Sequence, residues 1–158
     1  MDRVGQETGP YLMSGELEQL FPGLSQSTYK ITSPKTSEYN CIAWAAHEDY
    51  RWWWPAPPPF AYWPSGVPRQ ESIDAFIQAY ETLGFLCCDE KHLEPGYEKI
   101  AIYVDKNRKP THASRLLNNG NWTSKLGSLE DIEHSFEGLE NSSYGAVAQI
   151  LKRPIVDS

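Results

Sequence analysis

The sequence predicts an α+β domain, and three observations carry that expectation. The main helical patterns come first, a run of strand-like segments follows, and no repeat or low-complexity linker divides the chain. At 158 residues the chain is expected to be a single domain over 1–158, long enough to bury one core.

Taken in order, residues 14–20 read as a short helix ending before Pro22 and Gly23, and 28–31 as a weakly alternating edge strand. A helix is expected to start at Cys41 and run to about Asp49, with Ile42, Ala45 and Ala46 at helical spacing and Asn40 in the N-cap position. Residues 51–64 hold too many prolines for regular structure and too many aromatics for a disordered linker, which predicts an ordered, packed loop. The stripe Ile73, Phe76, Ile77, Tyr80, Leu83 predicts a helix over 70–83, closed by Gly84.

Strands are expected over 85–88, 99–104, 112–117, 122–126 and 144–151, with a hairpin turn at 118–121. Ser128 followed by Glu130 and Asp131 reads as a capped helical turn reaching Phe136, which would place His134 at a helix end. Glu130, Asp131, Glu133, Glu137 and Glu140 read as a solvated face, and His47 and His92 as solvated side chains.

Composition excludes several classes of function. A net charge of −7 and no Lys/Arg cluster argue against a nucleic-acid partner. Three cysteines, two of them adjacent at Cys87 and Cys88, form neither a disulfide framework nor a zinc spacing, so no metal and no cofactor are expected. No stretch approaches the roughly 18 apolar residues of a membrane span, and the first residues carry acids without an apolar segment, so a cytoplasmic protein without a membrane partner is expected.

Chemistry concentrates at Cys41. A thiol at a helix start sits near unpaired N–H groups and the positive end of the helix dipole, both of which favour thiolate. His112, at the start of a strand, is the candidate base. A third polar group is needed to fix the imidazole, and Asn121, Thr123, Ser124 and Lys125 all lie on or near the next strand. Strand alternation splits them into two sets, of which only one can lie beside His112. Ser124 leads and Asn121 follows, while Asn40 is a further candidate oxyanion donor.

The set Asn40-Cys41-Ile42-Ala43-Trp44-Ala45, Trp53-Trp54-Pro55, Tyr62-Trp63-Pro64, Thr111-His112-Ala113-Ser114-Arg115 and Trp122-Thr123-Ser124-Lys125-Leu126-Gly127 resembles an uncharacterised bacterial domain family over most of the chain. More remotely, a Cys-bearing helix followed by a His-bearing strand resembles the papain-like superfamily that includes bacterial cell-wall amidases and CHAP domains. The resemblance implies a papain-like α+β fold, N-terminal helices packed on a C-terminal antiparallel sheet, and amide or thioester chemistry through Cys41 and His112. The chain departs from the wall amidases in its Trp/Pro insert.

The leading expectation is therefore a cysteine hydrolase of the peptidase or amidase type, cleaving an amide, isopeptide or related acyl bond in a peptide or protein substrate. Trp44, Trp53, Trp54 and Trp63 are the candidate cleft walls, since flat aromatics give large contact area with few rotors. Two alternatives stand beside it: a non-catalytic module that binds protein or glycan through the Trp/Pro loop, and a cysteine acyltransferase.

Overall fold

The structure, a computed structural model, describes residues 21, 29–57, 61–126, 130–140 and 144–155. The helix expected over 14–20 and the first residue of the expected edge strand, Thr28, lie outside them.

Strand-forming segments, the central ones buried at most positions because both faces of the sheet are covered, build a seven-stranded sheet among the described residues. Its strands are β1 (Tyr29–Ser33), β2 (Leu86–Cys88), β3 (Tyr97–Val104), β4 (Pro110–Leu116), β5 (Trp122–Lys125), β6 (Asp131–His134) and β7 (Ala146–Pro154). They lie side by side in the order β1-β6-β5-β4-β3-β7-β2, and every pairing is antiparallel. Strands β3 to β6 form a meander, with the β4–β5 turn carried by Gly120 at φ 92 where the sequence Asn118-Asn119-Gly120-Asn121 signals it.

Among the described residues helices are a minor component: α1 (Cys41–Ala45), α2 (Ile73–Glu81) and α3 (Phe136–Leu139). The papain-like α+β expectation of a helical layer packed on a sheet is thereby overturned. Its physical basis fails at identifiable places. Helix α1 stops after five residues, because Ala46 caps it and His47 turns left-handed at φ 68. Ser128-Leu129-Glu130-Asp131 carries a capping pattern, yet residues 131–134 extend as β6 between β5 and β1, where pairing on both sides outweighs local preference. The expected solvated face is corrected with it, since Glu130 and Asp131 are fully buried.

Both faces of the sheet are packed. On one, Ile100, Ile102, Ala113 and Leu151 meet α1, α2 and the described aromatics of the Trp/Pro segment, with Trp53, Phe76 and Tyr80 fully buried. On the other, Ala101, Tyr103, Leu116, Trp122, Ile132 and Leu139 form a second cluster. Alternation along β4 therefore sends Ala113 to the first face and His112, Ser114 and Leu116 to the second. Among the described residues no helix is long and apolar enough to cross a membrane, and no group of three His, Cys, Asp or Glu residues is placed to hold a metal ion.

Candidate active site

Asn40 organises the region around Cys41. Its extended backbone places Oδ1 to accept from the Ala43 N–H at 3.2 Å, which caps α1, and from the Trp53 N–H at 3.1 Å. Its Nδ2 donates to the Trp53 carbonyl at 2.8 Å. One side chain thus fastens the Trp/Pro loop to the helix start. One of the two N–H groups of the amide expected as an oxyanion donor is used in this clamp, and Asn40 also lines the cavity over Cys41.

Cys41 is 6 % exposed and forms the floor of a cavity of about 370 Å³ lined by Asn40, Trp52, Trp54, Ala56, Ala61, Thr111 and Tyr144. Burial pushes the Cys41 thiol up to about 11, against the pull of the Ala113, Ile42 and Cys41 backbone N–H groups and the Lys125 charge. At neutral pH the group is a thiol. Among the described residues β4 pairs with β5 only at Arg115 and Leu116, so β5 does not take the Ala113 N–H, which meets Cys41.

His112 is fully buried on the far face of β4. Its Nε2 lies 2.9 Å from Ser124 Oγ, while Nδ1 is buried and has no hydrogen-bond partner among the described residues. Tyr103 meets the ring edge-on at 5.0 Å between centroids, and Tyr144 stacks on it. Burial, with the His134 charge adding, holds the imidazole well below its ordinary range. Cys41 and His112 thus reach the same corner from opposite faces: the thiol lies at the amide of the residue after His112, and Tyr144 borders both. Among the described residues no hydrogen bond joins the Cys41 sulfur to the ring.

Of the candidate third groups, the Ser124 set lies on the face of His112. Thr123 instead takes the Trp44 indole N–H at 2.9 Å on the opposite face, and the Asn121 amide donates to Glu133 at 2.9 Å beside the hairpin turn. Lys125 is buried beneath the Tyr39 ring and donates to the Thr36 carbonyl at 2.7 Å.

The aromatic residues separate into wall and core. Trp54 lines the cavity together with Trp52. Trp53 is core, stacked on Tyr80 with its N–H on Glu48, and Trp63 packs on Phe76 with its N–H on the Pro68 carbonyl. Trp44 stacks on Tyr39 away from the cavity. Sequence reasoning missed Tyr144 and His134. The first lies beyond a loop and reads as a strand start; the second is hidden by the false helical signal before it.

The fold and site define an antiparallel-sheet domain with a buried cysteine lining an aromatic-walled cavity and a buried histidine on the far face of the neighbouring strand. The chain belongs to DUF7689, a family described as a domain of unknown function, which matches residues 30–152. Neither a curated protein nor a solved structure matches the chain.

Proposed function

We propose that this protein is a cysteine hydrolase that cleaves amide or related acyl bonds through Cys41, with His112 as base. The observation that carries the reading is the buried His112 Nδ1 without a hydrogen-bond partner among the described residues, its ring anchored from the other nitrogen by Ser124 and set one residue from the amide that meets the thiol. A buried ring nitrogen without a partner costs free energy and persists where it has another use. Catalytic contacts of this kind are often long in unliganded enzymes and tighten with substrate.

Both groups are uncharged at rest, so proton transfer accompanies attack. The Cys41 sulfur bonds to the acyl carbon while its proton passes to His112 Nδ1, and the departing amine takes that proton as the C–N bond breaks. Water then cleaves the thioester with the imidazole again as base, which regenerates the thiol. The cavity walls Trp52, Trp54 and Tyr144 suit an apolar acyl group beside the sulfur.

The test uses p-nitrophenyl butyrate as acyl donor and intact-mass detection of the acyl-protein. A butyryl adduct that maps to Cys41 and disappears in Cys41→Ala supports the reading. No adduct, or equal acylation of parent and Cys41→Ala, overturns it.

A second reading rests on a different observation, the raised thiol beneath Trp52 and Trp54. In it the cavity binds an apolar side chain without chemistry. Cys41→Ala would then keep binding of an aromatic probe such as indole while removing nothing from its function.

A further inference from the structure

Behind His112 lies a buried chain of hydroxyl and imidazole groups that the dyad alone does not require. His134, at the end of β6, is fully buried, and its Nδ1 is 2.7 Å from the Ser135 carbonyl. Its Nε2 is 2.7 Å from Ser124 Oγ. Ser124 Oγ also meets Ser114 Oγ at 2.6 Å and His112 Nε2 at 2.9 Å. Neighbouring strands bring them together: Trp122 pairs with His134 and Ser124 with Ile132, so Ser124 and His134 share the face on which His112 stands.

The direction of the bonds that link the two imidazoles follows from counting protons. A carbonyl only accepts, so His134 Nδ1 carries a proton. Burial pushes His134 down to about 4, which leaves the ring neutral near pH 7 and Nε2 bare. Nε2 then accepts, and the single Ser124 hydroxyl proton is given to it. Ser124 Oγ has two lone pairs left, one facing Ser114 Oγ, whose own proton serves either Ser124 or the Tyr103 hydroxyl at 3.3 Å, and one facing His112. Its contact with His112 is therefore made by a proton on Nε2, and the remaining nitrogen, Nδ1, is bare.

We infer that His134, acting through Ser124, is a positioning residue that sets the tautomer of His112 and so leaves Nδ1 as its proton acceptor. The inference rests on the hydrolase reading for its purpose, though its geometry stands without it. A carboxylate would fix an imidazole directly; here the Ser135 carbonyl does so at the far end of a His–Ser–His chain. Lacking a negative charge, the relay leaves both rings neutral, in keeping with the depth of burial.

Long-range 1H–15N spectra of the uniformly labelled full chain read the tautomers directly. The parent is expected to show His112 protonated on Nε2 and bare on Nδ1, and His134 the reverse. In His134→Gln the amide N–H can donate to Ser124, which turns its hydroxyl toward His112 and moves the His112 proton to Nδ1. Ser124→Thr, which keeps the hydroxyl, is expected to retain the parent pattern. Butyrylation of Cys41 is expected to slow by about tenfold or more in His134→Gln, a fraction of what serine proteases lose when their imidazole takes the wrong tautomer.

A parent spectrum with His112 protonated on Nδ1 overturns the inference and needs no variant to fold. So does a His112 pattern that His134→Gln leaves unchanged. Parent tautomers as stated in a chain whose Cys41 is never acylated would sink the hydrolase reading and leave the relay standing; acylation with reversed tautomers would do the opposite.

Discussion

The Tyr144 ring lies parallel to His112, with centroids 4.0 Å apart and planes 3° from coincidence, so the imidazole is sealed between this ring and Tyr103. Tyr144 also lines the cavity over Cys41, and the Thr111 hydroxyl holds its backbone carbonyl. One side chain thereby dries the base and walls the pocket. Tyr144→Ala is expected to let water reach His112 and raise its pKa toward the ordinary value, as followed by NMR titration of the ring. Tyr144→Phe keeps the stack and should leave that titration unchanged.

Stability is expected to form a plateau between about pH 6.5 and pH 9, the ordinary values of unfolded His and of a thiol. Below it, the unfolded chain binds protons at its histidines while folded His134, pushed down to about 4, does not. Stability is then lost as pH falls from about 6.5 to about 4, on the order of 3 kcal/mol for this residue, and His112 shifts in the same direction. Above the plateau the unfolded thiol ionises before folded Cys41, held up to about 11, so stability falls again. Urea titrations across this range check both limbs, and His134→Gln should flatten the acid one.

The same thiol shift governs reactivity. With Cys41 ionising only near 11, its alkylation by iodoacetamide should rise steadily from about pH 7 to pH 10 with no neutral plateau. A plateau at neutral pH would instead reveal a resting thiolate–imidazolium pair and refute the uncharged dyad.

How legible this was in the sequence depended on range. The Asn40 cap is a contact within three residues, and its side chain does accept from Ala43, so local chemistry announces it. Ser124 is separable from Thr123 by alternation alone, once β4 and β5 are known to be neighbours. The face on which His112 stands is not separable in that way. Alternation relates residues within a strand, while the packing of α1 against Ala113 and Thr123 is a tertiary choice. His134 was out of reach for a further reason: a helix-like local pattern around Asp131 competes with strand pairing to residues as distant as Tyr29. The fold class failed at the same point, because counting helices from periodicity overstates those that later become strand or stop at five residues.

Asn40 offers the sharpest test of how the site is assembled. Removing its side chain leaves the Ala43 N–H uncapped and strips both backbone groups of buried Trp53 of their partners. A lost N-cap costs about 1 kcal/mol and each buried unpaired group about 1–3 kcal/mol, so Asn40→Ala is expected to destabilise the chain by about 3 kcal/mol or more by urea unfolding. Asn40→Asp separates the two jobs. It keeps an acceptor for the Ala43 and Trp53 N–H groups but turns a second oxygen toward the Trp53 carbonyl, where Nδ2 had donated. The helix start should survive while the loop is repelled, and Trp52 and Trp54 should lose their place over Cys41. Tryptophan fluorescence shifting to the red, together with faster iodoacetamide labelling of Cys41, would show the cavity opening. Unchanged labelling in Asn40→Asp would mean that the loop holds its position without the clamp.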